Sequence, residues 1–160
     1  MPALHRRASD WYAQNGFVDV AIDHALRGKY FQRAGTLIED QNGANYDRSD
    51  QTVLQRWLAE LPQEVVISRP RLIILRAWIR FNTGLLDAAG QDLQTAEELL
   101  ASERDQLPAM DRNLLVGRIA IMRSFIASFA GDTSAVIQYA RQAVEILPRQ
   151  EVTWRRGACL

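Results

Sequence analysis

Apolar residues recur along this chain at intervals of three and four, the spacing of a helix face, and almost nowhere at the alternation of a half-buried strand. The only β-branched cluster, Val65-Val66-Ile67, is bracketed by Pro62 and Pro70 too closely for a sheet strand. Punctuation by glycine and proline then divides the chain into eight helices. The first covers about Ala3 to Asn15 with Gly16 as its cap, and the second runs from Val18 to Arg27, ended by Gly28. The third spans Tyr30 to Asp40, before a loop rich in Asn, Gly and Asp. Ser49 or Asp50 caps a fourth that stops near Leu61, ahead of Pro62. Pro70 opens the fifth, which reaches Thr83 with Gly84 as cap. The sixth runs from Leu86 to about Arg104, the seventh from Pro108 to Ala130, and the eighth from Thr133 to Leu147, closed by Pro148. Short connections between helices of this length predict antiparallel neighbours.

Three of these hairpins share a grid of mostly small residues. With Gly131 as the turn, Ala120, Ser124 and Ala127 precede it and Val136, Ala140 and Ala143 follow. With Gly84, the equivalent positions are Ile73, Ala77 and Arg80, then Ala89, Leu93 and Ala96. With Gly16 they are His5, Ser9 and Tyr12, then Ala21, Ala25 and Gly28. Small side chains at such points let two helix axes approach closely. Gly16 and Gly84 lie 68 residues apart, twice the roughly 34-residue period of a tetratricopeptide unit. The unit between them fits poorly, because its turn is a long loop and its crossing lacks small residues. The expected fold is all-α: a tetratricopeptide-like right-handed superhelix of about eight antiparallel helices, forming one domain over 1–160.

Charge and composition narrow the function. Hydrophobic residues make up 48% of the 160 and charged residues 24%, as in a folded globular chain. Nineteen basic residues balance nineteen acidic ones, which gives no net field toward nucleic acid or an anionic membrane. Lys29 is the only lysine among the basic residues, the rest being arginine. No apolar run is long enough to span a bilayer, the start MPALHRR lacks the apolar core of a signal peptide, and a single cysteine, Cys159, forms no internal disulfide. A cytoplasmic setting is therefore expected.

No catalytic constellation emerges. His5 and His24, on facing helices of the first hairpin, have no third ligand nearby and read as packed or surface histidines. Ser9, Asp10 and His5 supply a hydrolase's residue types, but on one helix, where they build no triad. Glu97, Glu98 and Glu103 with Arg104 form a solvated face, and Arg6, Arg7, Arg155 and Arg156 read as charges at the domain ends. No phosphate-binding loop surrounds Lys29. The chain is expected to be non-enzymatic and free of cofactors and metals.

Two stretches carry a resemblance. Leu4-His5-Arg6-Arg7-Ala8-Ser9-Asp10-Trp11-Tyr12 with Asn15-Gly16-Phe17 and Ala21-Ile22-Asp23-His24-Ala25-Leu26 is the first. Trp57-Leu58-Ala59-Glu60-Leu61-Pro62, with Ser68-Arg69-Pro70-Arg71-Leu72 and Leu75-Arg76-Ala77-Trp78, is the second. Together they resemble the helical-repeat region of MalT-like, LuxR-type ATP-dependent transcriptional regulators, in which that region stands between a nucleotide-binding switch and a DNA-binding helix-turn-helix. The resemblance implies a sensor and interaction segment cut from a larger regulator. It implies a protein partner or small-molecule effector and neighbouring nucleotide- and DNA-binding domains, with no direct nucleic acid or membrane contact. A stand-alone tetratricopeptide scaffold between proteins is the alternative.

The fifth and seventh helices are apolar nearly all round, which calls for burial on several sides. The repeat grid turns Arg71, Ile74, Trp78 and Phe81 on one, and Arg118, Ile121, Phe125 and Phe129 on the other, toward a concave groove. That groove is the expected ligand or partner site, and so large an apolar surface also suggests self-association.

Overall fold

The computed structural model of the chain describes residues 2–42, 51–102 and 107–147. Every regular element among them is helical: α1 (Pro2–Gln14), α2 (Val18–Arg27), α3 (Phe31–Asn42), α4 (Gln51–Glu60), α5 (Gln63–Ile67), α6 (Pro70–Asn82), α7 (Leu86–Ser102), α8 (Ala109–Phe129) and α9 (Thr133–Ile146). The expected cap at Ser49 or Asp50, the end of the sixth predicted helix near Arg104, and Pro148, Arg155, Arg156 and Cys159 lie outside the described residues. The all-helical reading holds, with one element added.

That element is α5, which corrects the count of eight helices. Pro62, at φ −56° and ψ 142°, pre-sets the entry, and its carbonyl accepts from the amides of Val65 and Val66. Val65 and Val66 are buried, and α5 packs on α3. Burial of two branched side chains outweighs their modest reluctance to be helical.

Among the described residues, four helix ends close with the same pair of bonds. Gly16, Gly84 and Gly131 have φ of 82°, 80° and 74°. Each donates to a carbonyl three residues back (Ala13, Phe81, Ser128), and the residue after it donates to one five back (Tyr12, Arg80, Ala127). This double closure satisfies carbonyls that the helix leaves open, and the left-handed residue it needs is cheapest as glycine. The fourth case is Lys29, at φ 60°: its amide donates to Leu26 and that of Tyr30 to Ala25. The expectation that Gly28 supplies this turn is thereby corrected, since Gly28 has ordinary helical torsions. Gly28 serves packing instead, because a Cβ there would lie 2.9 Å from the Cβ of His5 and 2.7 Å from the Tyr30 ring.

The chain divides into two compact units, Met1–Leu75 and Arg76–Leu160. In the first, α1 packs on α2 and α2 on α3, with Ser9, Ala21 and Ala25 buried along the first seam. Asp23 of α2 accepts from Arg56 Nη2 at 2.8 Å and Trp57 Nε1 at 2.7 Å, tying α4 down. Arg69 donates to Glu39 (2.8 Å), Thr36 (3.2 Å) and the Gln32 side chain (2.9 Å) on α3. Burial pushes the Glu39 carboxyl above its usual range, and the Arg69 guanidinium offsets part of that rise.

In the second unit, α8 packs on α9 and on α7. Asp92 of α7 receives Arg76 through Nε (3.0 Å) and Nη2 (2.7 Å), and Arg80 through Nη1 (2.7 Å). Arg123 of α8 grips Glu97 of α7 with two bonds, at 2.9 and 2.6 Å. Ala120, Ser124, Ala127 and Ala143 are buried along the last hairpin. At its far end Gly117 makes room for Leu147, whose Cγ and Cδ2 would lie 2.5 Å from any Cβ there. Asp132 caps α9, its carboxylate accepting from the Ala135 amide and the Ser134 hydroxyl.

Candidate functional site

The turns set where the aromatic side chains of the second unit fall. Trp78 and Phe81 precede Gly84 by six and three residues, and Phe125 and Phe129 precede Gly131 by six and two. Those offsets place each pair on one face of its helix, near the turn. The rings meet around Phe81. Its centroid lies 6.1 Å from Trp78 and 5.9 Å from Phe125, both near-parallel, and 5.7 Å from Phe129 at an interplanar angle of 73°. Offset-stacked and edge-to-face contacts are the arrangements that aromatic quadrupoles favour. The cluster is therefore a built feature, with Trp78, Phe81 and Phe125 half-buried and Phe129 71% exposed at its edge.

The other four expected groove residues are placed differently. Ile74 and Ile121 have no exposed surface, and Arg118 is 2% exposed. These three present nothing to a ligand in this structure. Arg71 is half-buried in the first unit, where its charge acts on Glu39. The exposed face that remains is aromatic and belongs to the second unit alone. Three arginines of the second unit are already paired, Arg76 and Arg80 with buried Asp92 and Arg123 with the exposed Glu97.

The two histidines do come together across the first hairpin. Nδ1 of His5 and Nδ1 of His24 are 2.9 Å apart, so one ring donates and the other accepts. Tyr12 stacks on His24 at 5.5 Å with planes 9° apart. No group of three or more His, Cys, Asp or Glu side chains able to hold a metal occurs among the described residues. Nor is any helix among them long and apolar enough to cross a membrane.

What the sequence reading missed lies in the first unit. Arg6, Ser9, Asp10, Lys29 and the first turn of α3 surround a cavity of about 520 Å³. The signal was present in the sequence: basic Lys29 and Arg33 flank the start of α3, whose first turn has no acidic residue.

No protein-family model matches the chain, and no solved structure does. Curated relatives do. The HTH-type transcriptional regulator MalT of Cronobacter sakazakii is 27% identical over 148 residues, 92% of this chain and 16% of that protein. MalT of Serratia proteamaculans is also 27% identical over 148 residues, with the same coverage. The serine/threonine-protein kinase PknK of Mycobacterium tuberculosis is 31% identical over 141 residues, 88% of this chain and 12% of that protein. The chain thus spans between an eighth and a sixth of the relatives it matches, and across nine-tenths of its own length it is homologous to MalT-type regulators and to PknK.

Proposed function

We propose that this chain is a non-catalytic interaction segment of a MalT-type regulator, built as a tetratricopeptide-like superhelix, and that it signals by the occupancy of an aromatic surface. One observation carries the reading: the same stretch aligns with a small part of proteins named as a transcriptional regulator and as a protein kinase. A segment common to proteins with such different names supplies neither chemistry, and what it offers both is a surface. Three matching glycine turns support the repeat architecture. The Trp78–Phe81–Phe125–Phe129 cluster supplies contact area for the apolar face of a sugar or of another protein.

In the full regulator, an effector or protein partner that binds one arrangement of the segment better than another biases a neighbouring nucleotide-binding domain, and DNA is contacted elsewhere. The size of the response equals the difference in affinity between the two arrangements. Thermal-shift measurements against neutral sugars and other uncharged metabolites test this. A ligand of the aromatic face raises the midpoint of the natural chain and has a smaller effect on Phe129→Ala, whose exposed ring is removed without disturbing the core. No shift with any ligand, or equal shifts in both proteins, removes the small-molecule reading.

The exposure of Phe129 and Leu85 favours a second reading, a scaffold between proteins that includes self-association. Light scattering then shows a mass that grows with concentration and returns to the monomer in Phe129→Asp. A constant monomer mass in both proteins counts against self-association.

A further inference from the structure

His5 and His24 are the only histidines of the chain, and the fold joins them to each other. Their Nδ1 atoms are 2.9 Å apart, and the ring centroids, at 5.2 Å, are about as far apart as such a bond allows. Each nitrogen therefore points along the line to the other. That alignment suits one shared proton, carried by one Nδ1 and received by the lone pair of the second. The bond crosses the seam between α1 and α2, with His5 eleven residues before Gly16 and His24 eight after it. Eleven residues before Gly84 and Gly131 stand Ile73 and Ala120, both buried. The sister hairpins thus fill the first of these places without a titratable group, and the fold requires none there.

Counting protons shows what the pair adds. At neutral pH each imidazole carries one N–H. A first extra proton goes to Nε2 of the donor ring, which keeps the bond and makes its donor cationic. A second must go to the accepting Nδ1, and two cationic N–H groups would then face each other at 2.9 Å. Among the described residues no carboxylate pairs with either ring. On their own helices the charged side chains within a turn are Arg6, Arg7, Arg27 and Asp23. Asp23 is held by Arg56 and Trp57 of α4, Asp19 bonds Gln41 of α3, and Asp10 pairs with Arg33. Tyr12 stacks on His24, and from the turn into α3 come Lys29 and Tyr30, whose ring lies beside Gly28 as the Cβ of His5 does. The groups left around the pair are neutral or cationic, so nothing offsets a second positive charge.

We propose that the His5–His24 bond is an acid-released latch on the first hairpin, fastening α1 to α2 through one shared proton and opening when both rings are charged. The unfolded chain accepts both extra protons and the latched hairpin only one. The unfolded state therefore binds more protons, and stability falls as pH falls through the range in which imidazole becomes charged. Glu39, the carboxyl of this unit that burial holds high, shifts stability in the opposite direction, so an acid loss is not its doing.

The test is NMR of the 160-residue chain labelled with nitrogen-15, followed from pH 7.5 to pH 5. At the start the imidazole nitrogen shifts are expected to show one ring protonated on Nδ1 and the other on Nε2. On acidification one ring charges with the amides of α1 and α2 unmoved. Charging of the second coincides with displacement of those amides, while the amides of α8 and α9 stay in place. The urea midpoint of the first unit falls by about 1 M over the same range. His24→Asn keeps a hydrogen-bonding atom near the place of Nδ1 but takes up no proton, and it loses most of that fall. Two rings both protonated on Nε2 at pH 7.5, or two that charge fully while the amides of α1 and α2 stay unmoved, overturn the proposal on the natural chain alone. A fall of the same size in His24→Asn also overturns it.

Discussion

Each unit is cross-linked by an aspartate that takes two donors, but the two aspartates stand in different surroundings. Asp23 receives Arg56 and Trp57 with 32% of its side chain exposed, while Asp92 receives two arginines with 5% exposed. A pair in water is worth little, because solvent already satisfies both charges. A pair withdrawn from water costs much to break, since the survivor is left charged and poorly hydrated. The seats made by glycine differ in the opposite sense. Gly28 faces the Cβ of His5, which is fixed to the backbone of α1, whereas Gly117 faces the branched end of Leu147, which has torsions to turn. Similar devices thus hold the two units with different margins.

Three measurements sharpen or break that contrast. Asp92→Ala should lower the unfolding free energy by about 3 kcal/mol, and Asp23→Ala by about 1 kcal/mol. Urea midpoints at unchanged slope report both, and equal losses would end the argument from burial. Gly28→Ala should follow at about 2 kcal/mol. Gly117→Ala should cost about 1 kcal/mol, because alanine recovers part of the clash through its better helix propensity. Adding Leu147→Ala should make the Gly117 substitution harmless, a non-additivity visible in a double-mutant cycle. Additive losses would show that the two residues are not one seat.

The smallest effect is one of sign. The Glu39 carboxyl, raised above its ordinary 4.5, binds its proton more readily folded than unfolded. The stability it confers is therefore present below that pH and declines as pH rises through the raised value. The Asp132 carboxylate is held below its ordinary 3.8 by the Ala135 amide and the Ser134 hydroxyl. It stabilises above that pH, and the contribution is lost as pH falls through the lowered value. Stability profiles of Glu39→Gln and Asp132→Asn between pH 3 and 7 should each lose one limb, on opposite sides. A common direction of change would contradict the assignment.

The fold was legible where backbone chemistry is local. A glycine that ends an apolar helix announces its own turn, and Gly16, Gly84 and Gly131 did so with the small residues that let their hairpins close. Lys29 was illegible for the same reason: the adjacent Gly28 is the natural candidate, and only the approach of His5 shows that this glycine is needed for room. Helix α5 escaped because five residues show no period, and their burial against α3 is tertiary information. The candidate surface was half legible. Spacing brings Trp78, Phe81, Phe125 and Phe129 together, yet a helix apolar on every side does not say which side meets solvent, so the repeat grid turns Ile74, Ile121 and Arg118 outward although they lie inside. The cavity beside α3 was hidden because its walls come from α1 and from the turn into α3, which only the tertiary fold brings together.

Leu147 sits on Gly117 at the end of α9 opposite the Gly131 turn, so α9 is fastened to α8 at both of its ends. Helices held at one end lose their free turns first, and their amide protons exchange with solvent in a gradient along the axis. A helix fastened at both ends has no free end from which to unzip. The last turn of α9 then exchanges only when the whole hairpin opens, as slowly as the turn beside Gly131.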